Sequence, residues 1–154
     1  MLKSFASALL MVAAMASISQ AREVADPGFR QVGGLDVYFG VVPAEIVREH
    51  PAAHAEAQMH GPPELHPNEK HVMVAVLDSK TGNRINDAEV IARVVGAGAA
   101  GEKKLEKMPI ADAVTYGNYL TLPDHGHHDV RIEIRLAGQA SPVVATFTYP
   151  PAGD

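Results

Sequence analysis

Short stretches in which apolar and polar residues alternate, bounded by glycine, proline or turn-forming residues, limit the fold of this chain more than any other feature. The clearest is residues 130–136, where valine, isoleucine and leucine alternate with arginine and glutamate. A period of two is typical of a strand that buries one face. Comparable runs, including one at 71–77 that is apolar on both faces, occupy residues 35–41, 71–77, 88–95, 105–110, 116–122 and 143–149.

These segments predict an all-β fold, and specifically an immunoglobulin-like antiparallel β-sandwich of about seven strands. No segment predicts a dependable helix, although residues 44–50 are compatible with either a helical turn or another short strand. The sandwich domain is expected to span residues 35–150. Residues 22–34, which contain Pro27 and three glycines, are expected to form an irregular lead-in.

Residues 96–101 read GAGAAG, which formally matches the G-x-G-x-x-G nucleotide-binding pattern. That pattern requires a helix after it and an acidic residue about 20 positions later. No convincing helix follows here, and Thr121 occupies the acidic position. We therefore predict a flexible loop between two strands.

The first 21 residues have the layout of a cleavable secretory signal. Lys3 precedes an apolar run over residues 5–18, and Ser19-Gln20-Ala21 provides a small-x-small triplet before a charged pair. The apolar run is shorter than the roughly 20 residues of a membrane span. We predict a signal peptide over residues 1–21 and a periplasmic mature protein.

Composition excludes several classes of site. There is no cysteine, so disulfides, thiolate ligands and a lipoprotein anchor are all excluded. The net charge is −5, and no basic stripe interleaved with aromatic residues predicts binding to nucleic acid. No nucleophile elbow, phosphate loop or paired acidic motif is present, so we expect no enzymatic activity.

Residues 54–61, HAEAQMHG, form the densest group of potential metal ligands. His54, Glu56 and His60 share one face of an extended segment, and Met59 points the other way unless the chain turns. Prolines on both sides of the segment exclude a long helix and favour a loop or edge strand. Without thiols, methionine is the soft ligand and histidine the borderline one, which predicts a site for copper or, alternatively, iron.

Other candidate ligands lie further along the chain. Met108 is a candidate thioether ligand, although a buried methionine usually fills a gap in a core. His71 opens the predicted central strand and is either a ligand or a hydrogen-bonded strand end. The turn that carries His125, His127 and His128 is either a second, weaker metal site or a solvated, pH-sensitive rim.

Two segments carry a resemblance to a known family. The first runs from His54 to His60, and the second leads from Met108-Pro-Ile to Thr115-Tyr116-Gly117. They resemble the periplasmic iron-uptake and copper-binding family of the FetP and Tp-lipoprotein type, in which an H-x-E-x-x-x-H segment and an M-P-M segment leading to an H-Y-G motif surround a copper site on an immunoglobulin-like sandwich.

The resemblance implies that His54, Glu56 and Met108 are metal ligands. Thr115 stands where the family has a histidine, and Ile110 replaces the second methionine of M-P-M. Either the site is degenerate, or one further side chain completes it. The candidates for that position are Met59, His60 and His71.

We therefore expect a periplasmic, non-enzymatic protein that binds copper, or alternatively ferrous iron, and carries the metal or assists its uptake or tolerance. An inner-membrane transporter or another envelope protein would be its partner, and a homodimer is compatible with the sequence. The alternative expectation is a metal-free β-sandwich module that binds another envelope protein.

Overall fold

The computed structural model describes residues 26–49, 68–96, 99–110 and 113–151. The predicted signal peptide and residues 54–61 lie outside this part of the chain. Within the described part, no helix is long and apolar enough to cross a membrane. The elements are β1 (Phe29–Val32), β2 (Leu35–Pro43), α1 (Ala44–Glu49), β3 (Glu69–Asp78), β4 (Ala88–Gly96), β5 (Ala99–Ile110), β6 (Ala113–Thr121), β7 (His128–Leu136) and β8 (Val143–Tyr149).

The eight described strands form one antiparallel sheet in the order β1-β2-β3-β6-β5-β4-β7-β8. The long strand β5 connects its two halves, because residues 99–105 pair with β4 and residues 106–110 pair with β6. The arrangement is nearly barrel-like, and it confirms the all-β prediction. The finer prediction, an immunoglobulin-like sandwich of about seven strands, stays a prediction.

The core lies between these two halves and follows the alternation of the sequence. In β7, Val130, Ile132 and Ile134 are completely buried, and the residues between them face outwards. The rings of Phe39 in β2 and Phe147 in β8 stack 4.7 Å apart and join the two halves. Burying one such side chain contributes about 1.5–3 kcal/mol, so the buried faces of the alternating strands stabilise the fold.

The structure differs from the sequence expectations in two segments. Residues 22–34 are not entirely irregular, because Phe29–Val32 pairs with β2 across a turn in which Gly33 and Gly34 have φ angles of 58° and 80°. The predicted loop over residues 96–101 is shorter than expected, since Ala99–Ile110 begins within it and Gly101 pairs with Val94. Glycine and alanine have weak strand propensity, and pairing with β4 compensates for it.

Tyr116 fastens β6 to the segment before β4. Its hydroxyl donates to the carbonyl oxygen of Ile85 at 2.9 Å and accepts from the backbone N–H of Ala88 at 3.0 Å. The side chain is fully buried, so its loss would leave both backbone groups without this partner.

We expect Tyr116→Phe to lower the free energy of unfolding by about 1–2 kcal/mol, because two partly buried polar groups lose their hydrogen bond. Urea denaturation measures the change. Tyr38→Phe is the control, since Tyr38 is 47% exposed and should change stability by less than about 0.5 kcal/mol. Equal effects of the two substitutions would contradict the assignment.

Candidate metal site on the outer face of the sheet

One face of β2, β3, β6 and the second half of β5 points away from the core, and we call it the outer face. Val72, Val74 and Val76 of β3 belong to the core. Because side chains alternate along a strand, His71 and Met73 lie on the opposite side. Their cross-strand partners on β6 are Tyr119 and Gly117, as follows from the register His71↔Tyr119 and Met73↔Gly117.

Met108 lies on the same outer face. It pairs with Thr115, two residues before Gly117, and its side chain extends over Gly117. An alanine Cβ at position 117 would lie 2.9 Å from the Met108 sulfur and closer still to its methyl group. The absence of a side chain at Gly117 therefore creates the space that the thioether occupies.

Met108 is completely buried, and within the described part of the chain it lies outside the main hydrophobic cluster. The structure places a soft thioether donor, shielded from solvent, on the side of the sheet opposite the core.

His71 is also buried on this face, with 1% of its surface exposed. Its ring packs against the Tyr119 ring at a centroid distance of 5.0 Å and an interplanar angle of 45°. Tyr119 in turn forms a small cluster with Ala44, the first residue of α1, and Val42. His71 is the third residue of β3 rather than its end, so its burial depends on strand β6 and on the start of α1.

The structure brings two of the six sequence-predicted ligands, His71 and Met108, to one face on either side of β6. His54, Glu56, Met59 and His60 lie outside the described residues. Within the described ranges, no three histidine, aspartate or glutamate side chains group closely enough to hold a metal ion. A metal site built from the described residues alone would therefore have to include methionine.

Sequence reasoning missed Met73. Residues 71–77 are apolar on both faces and predict a strand within the core, which conceals the fact that one face is not part of the core. The available signal was the spacing of His71 and Met73, because two residues separated by one position share a face of a strand. Met73 is half-buried, and its methyl carbon lies 3.8 Å from the Cβ position of Gly40 on β2.

The three turn histidines do not converge. His125 and His127 are exposed, which agrees with a solvated rim. His128 is completely buried, and its Nε2–H donates to the carbonyl oxygen of His125 at 3.2 Å. The second metal site considered for this turn is therefore not formed, since one imidazole is directed inwards and two lie at the surface.

A charged cluster lies beside His71 at the same end of β3. The Lys70 side chain is 8% exposed, and its amino group donates to Asp124 Oδ2 at 2.9 Å. The hydroxyl of Tyr149 donates to the other carboxylate oxygen at 2.9 Å. The hydrogen bonds from Lys70 and Tyr149 lower the pKa of Asp124, whereas burial and the Asp124 carboxylate raise the pKa of Tyr149 to about 12. The positive charge of Lys70 is therefore balanced by the Asp124 carboxylate.

An open groove of about 630 Å³ lies on the other half of the sheet, between β4, β5 and β7. Its lysines are paired, Lys104 with Glu89 at 3.2 Å and Lys107 with Asp87 at 2.8 Å. Because each ammonium has a neighbouring carboxylate, the groove lacks the unbalanced charge that an ionic ligand would need. The outer face remains the better candidate site.

The fold defines a class, that of small, nearly barrel-like antiparallel β-domains, and comparisons with known proteins extend this description. No protein-family model and no curated protein matches the sequence. One similar solved structure is a DUF4426 family protein from Pseudomonas aeruginosa PAO1, with a TM-score of 0.55 and 15% identity over 79% of this chain and 89% of that chain.

A second similar structure is a copper-bound variant of FetP from uropathogenic Escherichia coli strain F11. Its TM-score is 0.55, and its identity is 12% over 82% of this chain and 95% of that chain. At these identities the likeness concerns the fold alone.

Proposed function

We propose that this chain is a periplasmic, non-enzymatic copper-binding protein that carries copper or assists its uptake or tolerance, with ferrous iron as the second candidate metal. The observation that carries the proposal is the fully buried thioether of Met108 above Gly117, on the same non-core face as the buried imidazole of His71. Gly117 leaves the room that this thioether occupies.

The donor chemistry favours copper over iron. Thioethers are soft ligands that select copper(I), and imidazole is a borderline ligand that suits copper and several other metals. A site in which Met108 and His71 provide donors therefore fits copper better than a hard cation. The copper-bound FetP structure shares the fold, and as a distant neighbour it supports copper as the metal. We also propose that the fold belongs to the immunoglobulin-like sandwich class.

The register supports the resemblance at one particular point. Met108 and Thr115, the positions of the family's thioether and histidine ligands, are direct cross-strand partners in the β5–β6 hairpin. Side chains in that relation have Cβ atoms about 4.5–5.5 Å apart, which suits two ligands of one metal. With threonine at position 115, another donor must take the place of that histidine.

We propose His54 and Glu56 as further ligands, with Met59, His60 and His71 as candidates for the remaining position. His54 and Glu56 belong to the segment that joins Glu49, the last residue of α1, to Asn68, which directly precedes β3. His71 follows three residues after Asn68, so the ends of this segment are attached beside the outer face.

The proposed partners are an inner-membrane transporter or another envelope protein, and a second copy of the chain is the proposed partner in a homodimer. The runner-up is a metal-free module that binds an envelope protein. Large apolar residues that are about half exposed, Tyr38, Ile46 and Val95, would contribute to such binding. The two functions differ in chelator sensitivity, because only the first requires metal.

Titration of metal-free protein with copper(I), against a competing chelator, tests the proposal. We expect saturable binding with a fixed stoichiometry, and Met108→Leu should raise the dissociation constant at least about tenfold, equivalent to roughly 1.4 kcal/mol. Leucine has nearly the volume of methionine and lacks the sulfur, so the fold should be retained. Iron(II) titrated in parallel should bind more weakly.

His127→Gln is the matched control, because His127 is exposed on the turn and should leave copper affinity unchanged. His54→Ala and His71→Gln test the proposed imidazole ligands. Absence of saturable copper binding would refute the metal-binding function, whereas unchanged affinity in Met108→Leu would remove Met108 from the site.

A further inference from the structure

We infer that Met73 is a second thioether ligand of the proposed copper site, and that the pair formed with Met108 makes the site selective for copper(I). This inference rests on the proposed function and concerns a residue that neither the sequence pattern nor the resemblance assigned.

Met73 lies between two glycines on the outer face. Its direct cross-strand partners are Gly40 on β2 and Gly117 on β6. Glycine inside a strand weakens the strand and often marks a position where a ligand or another group must approach closely. Neither glycine carries a side chain on this face, so the Met73 methyl lies over Gly40 and the Met108 thioether lies over Gly117.

The two methionines are within reach of each other across Gly117. The Met108 sulfur lies 2.9 Å from the Cβ position of Gly117, and the Cβ atom of a directly opposite residue is about 4.5–5.5 Å from that position. Met73 is that opposite residue. Its side chain, which can rotate about three bonds, can bring its sulfur towards that of Met108.

The Met73 side chain extends towards β2 in this structure. Its methyl carbon lies 3.8 Å from the Cβ position of Gly40 on β2, so joint ligation with Met108 requires rotation of the side chain towards Gly117. Met73 is half-buried, whereas Met108 is fully buried. Met108 is the fixed donor and Met73 the adjustable one.

His71 supplies the third donor of this group. It precedes Met73 by two positions on β3 and therefore shares its face. His71 is a diagonal cross-strand neighbour of Gly117, and such neighbours lie about 7–8 Å apart. Two thioethers and one imidazole form a soft donor set, and such a set favours copper(I) over copper(II).

Silver(I), a stable substitute for copper(I), tests this arrangement directly in the full chain. Methionine methyl groups labelled with carbon-13 are observed by NMR and assigned with the Met73→Leu and Met108→Leu variants. We expect one equivalent of silver(I) to shift the methyl signals of both residues. A shift of the Met108 signal without that of Met73 would overturn the inference and leave the proposed function intact.

Affinity measurements separate ligation from packing. Met73→Leu keeps the volume of the side chain, so it should raise the copper(I) dissociation constant about tenfold and change that for copper(II) less than about twofold. X-ray absorption should count two sulfur ligands of copper(I) in the original chain and one in either variant. Equal losses for both oxidation states, or one sulfur in the original chain, would overturn the inference. If the original chain binds neither ion, the proposed function fails as well.

Discussion

Gly117→Ala is expected to reduce copper(I) affinity at least about tenfold and to lower the free energy of unfolding by about 1–3 kcal/mol. The new Cβ would lie 2.9 Å from the Met108 sulfur and 3.1 Å from the backbone carbonyl oxygen of Val72. The carbonyl belongs to β3 and cannot move without straining the sheet, so the thioether has to leave its position. Chemical denaturation and copper(I) titration measure the two effects.

Two further variants establish the cause. Gly40→Ala adds the same methyl group to the same face but meets the Met73 methyl at 3.8 Å, so it should be neutral or stabilising by up to about 1 kcal/mol. In a Met108→Ala background, Gly117→Ala should cost clearly less stability than it does alone, because the clashing side chain is absent. An unchanged cost in that background would show that Met108 does not occupy the space above Gly117.

The strands with strict alternation were predictable, because their burial depends on a pattern that the sequence states directly. Residues 143–149 correspond to β8, and residues 130–136 lie within β7. The shared strand β5 was not predictable in full. Residues 99–104 contain small and charged side chains that carry no strand signal, and their structure depends on pairing with β4.

The candidate site was only partly predictable for a related reason. Residues 72–77 are apolar throughout, so the sequence indicates burial on both faces without indicating what covers each face. Gly117 matters because the Met108 side chain of β5 lies over it. This contact between two strands is tertiary, so the sequence does not show it. Met108 and His71 could be identified by residue type, whereas their relation to Gly117 and Met73 could not.

The second large effect is expected at the Lys70–Asp124 pair, which fastens the start of β3 to the turn before β7. The Lys70 side chain is 8% exposed and that of Asp124 is 64% exposed. Because the carboxylate is solvated, the Coulomb attraction between the two groups is screened. The pair therefore stabilises the fold mainly through Lys70, whose side chain is buried, because an ammonium group in such a place is costly without a charged acceptor.

Asp124→Asn should lower the free energy of unfolding by about 1–3 kcal/mol at neutral pH, because it replaces a charged acceptor of a buried donor. Asp87→Asn is a matched control, since Asp87 also pairs with a lysine at 2.8 Å but is 91% exposed. The control should lose clearly less stability, because both of its charges are solvated and their attraction is screened. Denaturation of both variants under the same conditions provides the comparison, and equal losses would contradict the importance of burial at Lys70.

The stability that Asp124 and Tyr149 contribute should also depend on pH. The folded state lowers the pKa of Asp124, so this group stabilises the fold above its unfolded pKa of about 3.9, and the contribution is lost as pH falls through the lower folded value. The folded state raises the pKa of Tyr149 from 10.0 to about 12. The contribution of Tyr149 is therefore complete below pH 10 and is lost as pH rises through about 12.

The stability difference between the original chain and Asp124→Asn should shrink in acid, and that for Tyr149→Phe should shrink in alkali. Differences that stay constant across both ranges would show that these two hydrogen bonds do not contribute to the stability of the fold.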